Sequence, residues 1–445
     1  MEQLENFTQA FKPASYSERI SRLQELKRIV ETHEADIVTA INKDLNRSNY
    51  ETLMAEIYPF YKELNYFLKH LTVLMKAQKK RGSITTFGSK NYVERRPYGI
   101  VAIISPWNYP FQLGLIPIVG AIAAGNKVIL KPSEISTHTS NILVDLFQTL
   151  DEFMLVVEGG VEETTAILNA NIDYVFFTGS TKVGKIIMKS CAEKLIPNTL
   201  ELGGKSPCIV ENSADFKVAA KRILWGKLFN AGQTCIAPDY VLVREDNKEQ
   251  FVETLIIEAK KMVSKKERFT KIISPSHYNR LLQLLKGEEQ NIVYQQQIED
   301  EQTLGLTILS SNKDSSIMKE EIFGPILPIL TYKSANDAVA LSMEICKNPL
   351  ALYVFTNSIQ DIDFYSRYIL SGGMCVNDVI MHFNNSHLPF GGVGQSGIGS
   401  YHGIYSFDTF SHARSVLVNK NNLRYDMRYR INDTLLSKIK HLMIK

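Results

Sequence analysis

Apolar residues near the start of the chain recur every three or four positions. Between residues 18 and 41 they are Ile20, Leu23, Leu26, Ile29, Val30, Ile37, Val38 and Ile41. Residues 52 to 75 repeat the pattern with more aromatic side chains. Because this spacing places apolar side chains on one face of an α-helix, it predicts that the chain opens with amphipathic helices.

From Ile100 onward, short apolar runs alternate with helical segments. The runs IVAII, KVILK, FMLVV and DYVFFTG have the length and composition of buried strands. The apolar stretch from Phe111 to Gly125 is too short to span a bilayer, and we expect a buried crossover helix there. Such alternation predicts a mostly parallel sheet covered by helices.

A second series of alternating predicted strands and helices follows the segment NTLELGG. It contains PCIV, a helix near Ala214 to Asn230, and the strands YVLVRE, ALYVFT and MCVNDVI. We therefore expect a second α/β domain, with the boundary near Gly203 and Gly204. The polar stretch 83–98, a possible hairpin, and the chain from residue 403 fit neither domain, and both are candidates for an extension that pairs with another subunit.

Composition and charge narrow the class of protein. A chain of 445 residues with 44% hydrophobic and 22% charged residues exceeds the size of a single core. The formal net charge of +3 provides no field for steering nucleic acid, so we expect a small-molecule partner. Five cysteines and a start, MEQLENFTQAFK, without signal-peptide features lead us to expect a cytoplasmic protein. His382 and His387 lack the further ligands that a metal site needs, so we predict no bound metal.

Two glycine-rich segments are candidates for holding a nucleotide. In PFGGVGQSGIGSYHG, the residues Gly392, Gly394 and Gly397 have G-x-G-x-x-G spacing, but a loop precedes them and no clear helix follows. We interpret this segment as a tight loop in which two backbones pack closely. In FFTGSTKVGK, a strand, a glycine turn and a helix follow in order, so Ser180 could cap the helix and bind a phosphate while Gly184 allows close approach. A purely structural helix cap is the alternative.

Cys235 is the candidate nucleophile. The segment FNAGQTCIAPDY places it in a small polar turn after a helix, where a substrate could reach the thiol. An inert core thiol is the alternative, because reactivity requires exposure and a lowered pKa. We expect the remaining cysteines to be small buried residues: Cys191, Cys208, Cys346 and Cys375.

Glu201 and Asn108 each follow or end a predicted strand. Glu201 precedes two glycines, and burial there would raise its pKa so that it could act as a base. A structural carboxylate that accepts from backbone N–H groups is the alternative. Asn108 lies in the loop after IISP, where doubly wound sheets bind ligands, and its amide could donate to an oxyanion. Trp107, Tyr109 and Phe111 form either a wall for an apolar substrate or a buried aromatic cluster.

Seven motifs together carry a family resemblance. They are PWNYPF, LKPSE, FFTGSTKVGK, LELGGKSP, NAGQTC, EEIFGP and PFGGVGQSG, and they span residues from about 90 to 412. By these motifs the chain resembles the aldehyde dehydrogenase superfamily. In its chain length and in the segment AGQTCIAPDY, the protein most resembles the class-three branch, which includes fatty and aromatic aldehyde dehydrogenases. The resemblance implies NAD(P)-dependent oxidation of an aldehyde to a carboxylic acid.

The resemblance also implies a role for each motif residue. Cys235 would be the nucleophile, Glu201 the general base, and Asn108 with the Cys235 backbone N–H the oxyanion hole. A thiohemiacetal on the cysteine would lose hydride to the nicotinamide, and water would release the thioester. The cofactor contacts would be Lys131 and Glu134 at the adenosine ribose, Gly179, Ser180 and Gly184 at the pyrophosphate, and Glu321 and Phe323 at the nicotinamide ribose, with Trp107 on the same side. Glu134 favours NAD by charge, and Lys131 leaves NADP possible.

The implied fold is α/β, with a Rossmann-like cofactor domain, a second α/β catalytic domain and a small β oligomerisation extension. The expected ranges are 1–82 and 99–202 for the cofactor domain, 203–402 for the catalytic domain, 83–98 and 403–420 for the extension, and 421–445 for a basic tail. We expect a homodimer. The tail is either a solvated or subunit-packing helix or a segment that contacts an anionic membrane, because Leu435, Leu436, Ile439, Leu442 and Met443 share one face.

Two alternatives belong to other functional classes. A cofactor-independent thiol hydrolase of esters or thioesters would need only the nucleophile, base and oxyanion donor. That hypothesis leaves TGSTKVG and EEIFGP without a role. A non-catalytic binding protein on the same fold is the second alternative.

Overall fold

The computed structural model describes residues 2–83, 86, 88–265, 268–298 and 300–419. The predicted basic tail at 421–445 lies outside these residues. The α-helices of the described part are α1 Glu2–Thr8, α2 Tyr16–Thr32, α3 Glu34–Leu45, α4 Asn49–Thr52, α5 Tyr58–Leu74, α6 Gln112–Ala124, α7 Thr137–Phe147, α8 Val161–Asn169, α9 Thr181–Glu193, α10 Phe216–Leu228, α11 Lys248–Val263, α12 Pro275–Leu285, α13 Ala335–Ile345, α14 Ile359–Tyr368 and α15 Ile404–Thr409. Its strands are β1 Gln78–Lys80, β2 Lys90–Pro97, β3 Ile100–Ile104, β4 Lys127–Lys131, β5 Met154–Val156, β6 Tyr174–Gly179, β7 Asn198–Leu202, β8 Pro207–Val210, β9 Tyr240–Arg244, β10 Ile292–Gln295, β11 Thr307–Ser310, β12 Ile326–Tyr332, β13 Ala351–Phe355, β14 Gly373–Val376, β15 Gly397–Ile398 and β16 Ser411–Val418.

The chain opens with helices, as the apolar spacing predicts. Ser15 starts α2 with a capping box, because its hydroxyl accepts from the Glu18 N–H while the Glu18 carboxylate accepts from the Ser15 N–H. The helical spacing at 18–41 corresponds to two helices, since the chain turns at His33 between α2 and α3. A π-helical turn, Leu53–Ile57, joins α4 to α5.

In the described part of the chain, the first sheet contains six strands in the order β15-β7-β6-β3-β4-β5, all parallel except β15. The chain runs from β3 outward to β4 and β5 and then returns to β6 on the other side of β3. The carboxyl ends of β3 and β6 are therefore adjacent, at the switch point where such sheets bind ligands. Every residue of α6 is buried, which confirms the predicted crossover helix.

The second sheet has seven strands in the order β10-β11-β12-β9-β8-β13-β14, parallel except for β10. The chain passes from the first sheet to the second between Leu202 and Pro207, next to the two predicted boundary glycines. Gly397 and Ile398 return to the first sheet and pair with Glu201 and Leu200 of β7.

A third, antiparallel sheet has the order β1-β2-β16. β2 pairs along its whole length with β16, from Pro97 opposite Ser411 to Lys90 opposite Val418. Its other neighbour, β1, begins at Gln78, which lies outside the stretch 83–98 that the sequence indicated as a possible hairpin. Within the described residues, no helix is both long and apolar enough to cross a bilayer.

Candidate active site

Glu201 is a buried carboxyl group near the end of β7. Its side chain is 3% exposed, and neither carboxylate oxygen has a hydrogen-bond partner among the described residues. Burial raises the pKa of Glu201 well above its usual range. The alternative of a structural carboxylate that accepts from backbone N–H groups is therefore wrong, and once Glu201 is ionised its raised pKa makes it a stronger base than an ordinary carboxylate.

The turn that carries Cys235 has an unusual backbone. After α10 ends, Asn230, Ala231 and Gly232 have φ angles of 52°, 51° and 72°. Positive φ costs non-glycine residues energy, so such positions persist only where the surroundings hold them. The strained turn brings Thr234 and Cys235 onto the wall of a cavity of about 440 Å³.

The electrostatic surroundings of Cys235 include two carboxyl groups. Burial raises the pKa of the Cys235 thiol, and the charges of Glu321 and Glu201 raise it further. The backbone N–H groups of Cys235 and Ile236 act in the opposite direction. Cys235 and Glu201, although distant in sequence, therefore act on one another, and the thiol is protonated at neutral pH in the absence of other charges.

Asn108 lies in the loop after β3 and is tied to the turn before Cys235. Its Nδ2 donates to the main-chain oxygen of Gln233 at 3.0 Å. Next to it, the hydroxyl groups of Tyr109 and Thr234 are 2.5 Å apart. The structure thus brings together the three predicted chemical residues, Cys235, Glu201 and Asn108, from three separate segments.

The cavity beside Cys235 has a mainly apolar and aromatic lining. Its lining includes Met54, Tyr109, Leu113, Trp225, Phe229, Cys235, Met262, Ile380, Met381, Phe383 and Phe390. Of the three aromatic residues that the sequence suggested for a substrate wall, Tyr109 alone lines it. Phe111 is wholly buried in the core, where its ring packs edge-on against Phe60, so the buried-cluster alternative holds for this residue. Trp107 instead contacts Phe323, with ring centroids 5.4 Å apart.

The predicted phosphate site lies at the amino end of α9. Ser180 caps this helix by accepting from the Val183 N–H at 3.3 Å. A Cβ atom at Gly184 would come within 2.6 Å of Leu202 Cδ2, so glycine allows the first turn of the helix to pack on β7. Gly179 ends β6 at the switch point. The free N–H groups of a helix start favour an anion here.

Lys131 ends the neighbouring strand, β4, and Glu134 lies in the segment that follows it. The Lys131 side chain is buried, whereas that of Glu134 is half exposed. Their Nζ and Oε2 atoms form an ion pair at 2.7 Å. The ion pair therefore places a carboxylate, which accepts hydrogen bonds, and a cation at the same edge of the sheet as Gly179.

Glu321 and Phe323 belong to a segment that faces the glycine pair after β7. The Glu321 carboxylate lies directly over Gly203, where a Cβ atom would overlap it. Burial raises the pKa of Glu321 to about 8. Phe323 has a φ of 50°, a second strained non-glycine position near the candidate cofactor contacts.

A buried ion pair that the sequence patterns did not reveal holds this segment. Lys205 and Asp239 are 2.5 Å apart, and the Lys205 Nζ also donates to the Glu320 main-chain oxygen at 2.7 Å. Asp239 accepts from the Ile322 N–H at 2.9 Å. Lys205 stands in the motif LELGGKSP, so a charged residue beside two glycines was the available signal.

The glycine loop at 389–403 packs as the sequence interpretation expected. A Cβ atom at Gly392 would overlap the main chain of Ser396, and one at Gly397 would overlap the Leu200 carbonyl oxygen. The loop thus lies against β7, next to Glu201, and is not a phosphate-binding turn between a strand and a helix.

The remaining cysteines match the prediction only in part. Cys191 and Cys208 are buried, but Cys346 and Cys375 are partly exposed, and Cys346 lies just beyond the end of α13. All five thiols are free. Among the residues that the structure describes, no group of three or more His, Cys, Asp or Glu side chains could hold a metal ion.

Comparisons with known proteins agree with this geometry. The model of the aldehyde dehydrogenase family matches residues 3–416. The chain is 42% identical to the 4,4'-diaponeurosporen-aldehyde dehydrogenase of Staphylococcus aureus, over 94% of this chain and 92% of that protein. It is 43% identical to aldehyde dehydrogenase family 3 member A2 of Rattus norvegicus, over 92% of this chain and 86% of that protein.

A solved structure has nearly the same fold. The substrate-bound state of Staphylococcus aureus AldH superposes with a TM-score of 0.94 at 38% identity, covering 99% of this chain and 98% of that one. These matches agree with the class-three resemblance and give no support to the thiol hydrolase alternative. The chain therefore belongs to the aldehyde dehydrogenase family and is an oxidoreductase that acts on aldehydes with NAD(P).

Proposed function

We propose that this enzyme oxidises an apolar aldehyde to its carboxylic acid through a thioester on Cys235. The observation that carries the proposal is the buried, unpartnered carboxyl group of Glu201, which lies close enough to the Cys235 thiol, at the wall of an apolar cavity, to contribute to its raised pKa. A cavity that excludes water strengthens each electrostatic contact in it.

The first covalent step belongs to Cys235. Once the Cys235 thiol has released its proton to solvent, its sulfur attacks the carbonyl carbon, so that a C–S bond forms and the carbonyl oxygen becomes negative. The Asn108 amide and the Cys235 backbone N–H are the donors that would stabilise this oxygen. A fixed donor matters here because it needs no reorganisation when the charge develops.

The second step belongs to Glu201. After oxidation, water loses a proton to the Glu201 carboxylate and attacks the thioester carbon, the C–S bond breaks, and the acid and the Cys235 thiolate are released. A raised pKa suits this role, because it makes the Glu201 carboxylate a stronger base than an ordinary glutamate.

The residues at the edge of the first sheet fit a nicotinamide dinucleotide. Gly179, Ser180 and Gly184 would hold the pyrophosphate at the start of α9, because a free helix start binds anions. Lys131 and Glu134 would contact the adenosine ribose; Glu321, Phe323 and Trp107 would contact the nicotinamide side. The bound cofactor would accept the hydride that leaves the former aldehyde carbon when its C–H bond breaks and the negative oxygen re-forms the C=O bond. On this proposal residues 1–82 and 99–202 are the cofactor domain and 203–402 the catalytic domain.

NAD is the cofactor that we favour. Glu134 would bond a ribose 2'-hydroxyl and repel a 2'-phosphate, while its ion pair with Lys131 weakens the repulsion. Both types occur among relatives: a Bacillus cereus enzyme of 27% identity was solved as a complex with NAD+, and a dog relative of 39% identity is named as NADP-preferring.

An apolar aldehyde is the substrate class that the cavity supports. Its lining presents methionine, leucine and aromatic side chains, which match a long aliphatic chain or an aromatic ring. The name of the Staphylococcus aureus relative gives 4,4'-diaponeurosporen-aldehyde as its substrate.

A panel of aliphatic aldehydes of rising length and several aromatic aldehydes, each with NAD or NADP, tests substrate and cofactor together. We expect kcat/KM to rise with chain length and to be higher with NAD, and Cys235→Ala to abolish turnover while still binding NAD. Equal rates for short polar and long apolar aldehydes would contradict the substrate class, and residual turnover of Cys235→Ala would contradict the nucleophile.

Assembly, location and the tail complete the proposal. We propose a homodimer built on the exposed edge of the third sheet, and a cytoplasmic location, which the five free thiols support. The basic tail at 421–445 would contact anionic membranes. Sedimentation with anionic vesicles of the full chain and of a chain ending at residue 419 tests this contact, and equal pelleting of the two would refute it.

A further inference from the structure

Arg47 is a fully buried arginine beside the candidate site. It lies just after α3, and its side chain is 0% exposed. Nη1 forms an ion pair with Oε1 of Glu56 in the π-helical turn, at 2.8 Å. This contact alone would neutralise the charge of the Glu56 carboxylate. The second nitrogen, Nη2, points instead to the residues proposed to carry the chemistry.

Nη2 joins two segments that are far apart in sequence. It donates to the main-chain oxygen of Asn108 at 2.8 Å and to the side-chain oxygen of Asn230 at 2.8 Å. The Asn230 Nδ2 in turn donates to the same Asn108 oxygen at 2.9 Å and to the Gln233 oxygen at 3.1 Å. The guanidinium group therefore closes a network between the loop of the oxyanion donor and the turn of the nucleophile.

The contact with Asn230 selects one orientation of an amide. An asparagine side chain can exchange its oxygen and nitrogen by rotating, but a guanidinium group carries donors only. Arg47 therefore holds the Asn230 oxygen toward itself and its nitrogen toward the carbonyl oxygens of Asn108 and Gln233. The Asn230 N–H is held separately by Oε1 of Glu51 at 2.5 Å.

The network holds backbone that is strained. Asn230 and Ala231 both have positive φ, a backbone conformation that residues other than glycine rarely adopt. Cys235 follows a few residues later, so a relaxed turn would move the thiol and its N–H relative to Asn108. Lysine cannot replace the contacts, because an ammonium group is a point charge and lacks the planar fork of arginine.

We propose that Arg47 is a positioning residue for aldehyde oxidation, which fixes the Asn108 loop and the Asn230 turn so that the Asn108 amide and the Cys235 N–H face the same oxygen. The inference rests on the roles proposed above for Asn108 and Cys235. On this inference, the ion pair between Arg47 and Glu56 stabilises the geometry of the reacting groups as well as the fold.

Two variants separate positioning from folding. Arg47→Lys keeps the charge opposite Glu56 but loses the fork. Arg47→Met combined with Glu56→Gln removes both charges, and the glutamine oxygen can still accept from the N–H groups of Phe111 and Gln112. Arg19→Lys is the matched control, because Arg19 is also buried but, among the described residues, donates to main-chain carbonyl oxygens away from the site, those of Ala14 and Ala123.

Each variant is assayed for NAD-dependent oxidation of decanal and for cofactor-independent hydrolysis of p-nitrophenyl acetate, which also needs a placed thiol and oxyanion donors. We expect both Arg47 variants to lower kcat of both reactions by about tenfold or more, since one oxyanion donor contributes on the order of a hundredfold. The KM for NAD should stay within twofold, and Arg19→Lys should lose thermal stability without losing kcat.

Other outcomes overturn one proposal without the other. If both Arg47 variants keep kcat within twofold of the wild type, Arg47 has no positioning role. If the wild type hydrolyses the ester but oxidises no aldehyde, the proposed function fails, and the ester rates still decide the role of Arg47. A crystal structure of Arg47→Lys gives a readout that is independent of activity: an unmoved Asn108 amide and Asn230 turn would refute the inference.

Discussion

The carboxyl group of Glu201 shows how burial can prepare a single residue for proton transfer. Its oxygens have no partner among the described residues, and its pKa is raised by burial alone. Cys235 has a raised pKa for the same reason and through neighbouring carboxylates. A site of this kind keeps both groups neutral until a ligand or a higher pH changes their charge.

The activity of the enzyme should depend on the pH through Glu201. Since the pKa is raised, the basic form becomes more abundant as the pH rises above the usual carboxyl range, and kcat should rise with it where thioester hydrolysis limits turnover. Glu201→Gln should lower kcat by about a hundredfold or more and remove this rise. Cys235, Glu321 and Tyr401 also titrate nearby, so the comparison between wild type and variant isolates the contribution of Glu201.

The free energy of unfolding should depend on the pH because Glu201 is buried. The unfolded chain ionises Glu201 at its ordinary pKa, whereas the folded chain retains the proton to a higher pH, so the free energy of unfolding falls as the pH rises between the two pKa values. Relative to Glu201→Gln, the wild type should lose about 1.4 kcal/mol per pH unit in this window. Urea unfolding of both proteins from pH 4 to pH 8 measures the difference, and a constant difference would contradict the raised pKa.

At the scale of elements, the glycine loop next to β7 packs closely against the backbone of neighbouring segments. Gly392 lies against the main chain of Ser396, and Gly397 against that of Leu200, one residue before Glu201. Backbone atoms cannot move aside as flexible side chains do. The loop therefore sets how closely β15 approaches the strand that carries the base.

Replacing Gly392 with alanine should disturb this packing. We expect Gly392→Ala to destabilise the fold by about 1–3 kcal/mol, because the new methyl group overlaps backbone, and to lower kcat through displacement of β7. Gln395→Ala, at an exposed position of the same loop, is the control. Thermal unfolding and kcat of the two variants check the prediction; identical values for both would refute it.

Sequence patterns predicted the strands, the crossover helix α6 and the cap at Ser180, because each depends on local spacing and composition. They did not predict the turn at His33 or the π-helical turn at 53–57. They also could not find Arg47, whose partners are 61 and 183 residues away in the chain. Contacts of that range depend on the folded topology, and the only local signal was a charged residue after a helix.

At the scale of the whole molecule, the third sheet offers an open edge. Among the residues that the structure describes, β16 pairs with β2 on one side only, and Leu417 and Val418 near its end are about half exposed. An unpaired edge with exposed apolar side chains is a template for another chain. The sheet lies outside the two parallel sheets that carry the candidate site residues.

Charged residues at that edge should weaken the proposed dimer. We expect Leu417→Lys combined with Val418→Lys to shift the protein toward monomer by at least tenfold in dissociation constant, measured by sedimentation equilibrium. Lys79→Glu on the opposite edge strand, β1, serves as the comparison. A wild type that is monomeric at all concentrations, or a double variant with unchanged mass, would contradict the proposal.

The acyl group on Cys235 is the most direct subject for measurement. Glu201→Gln enzyme is mixed with decanal and NAD, quenched in acid and digested, and the cysteine peptides are analysed by mass spectrometry. The proposed mechanism predicts a decanoyl adduct on the peptide that contains Cys235, and this adduct should form only when NAD is present. The double variant Glu201→Gln/Cys235→Ala should form no adduct on the corresponding peptide. Absence of the adduct from the Glu201→Gln enzyme, or an adduct on Cys346 or Cys375 instead, would contradict the mechanism.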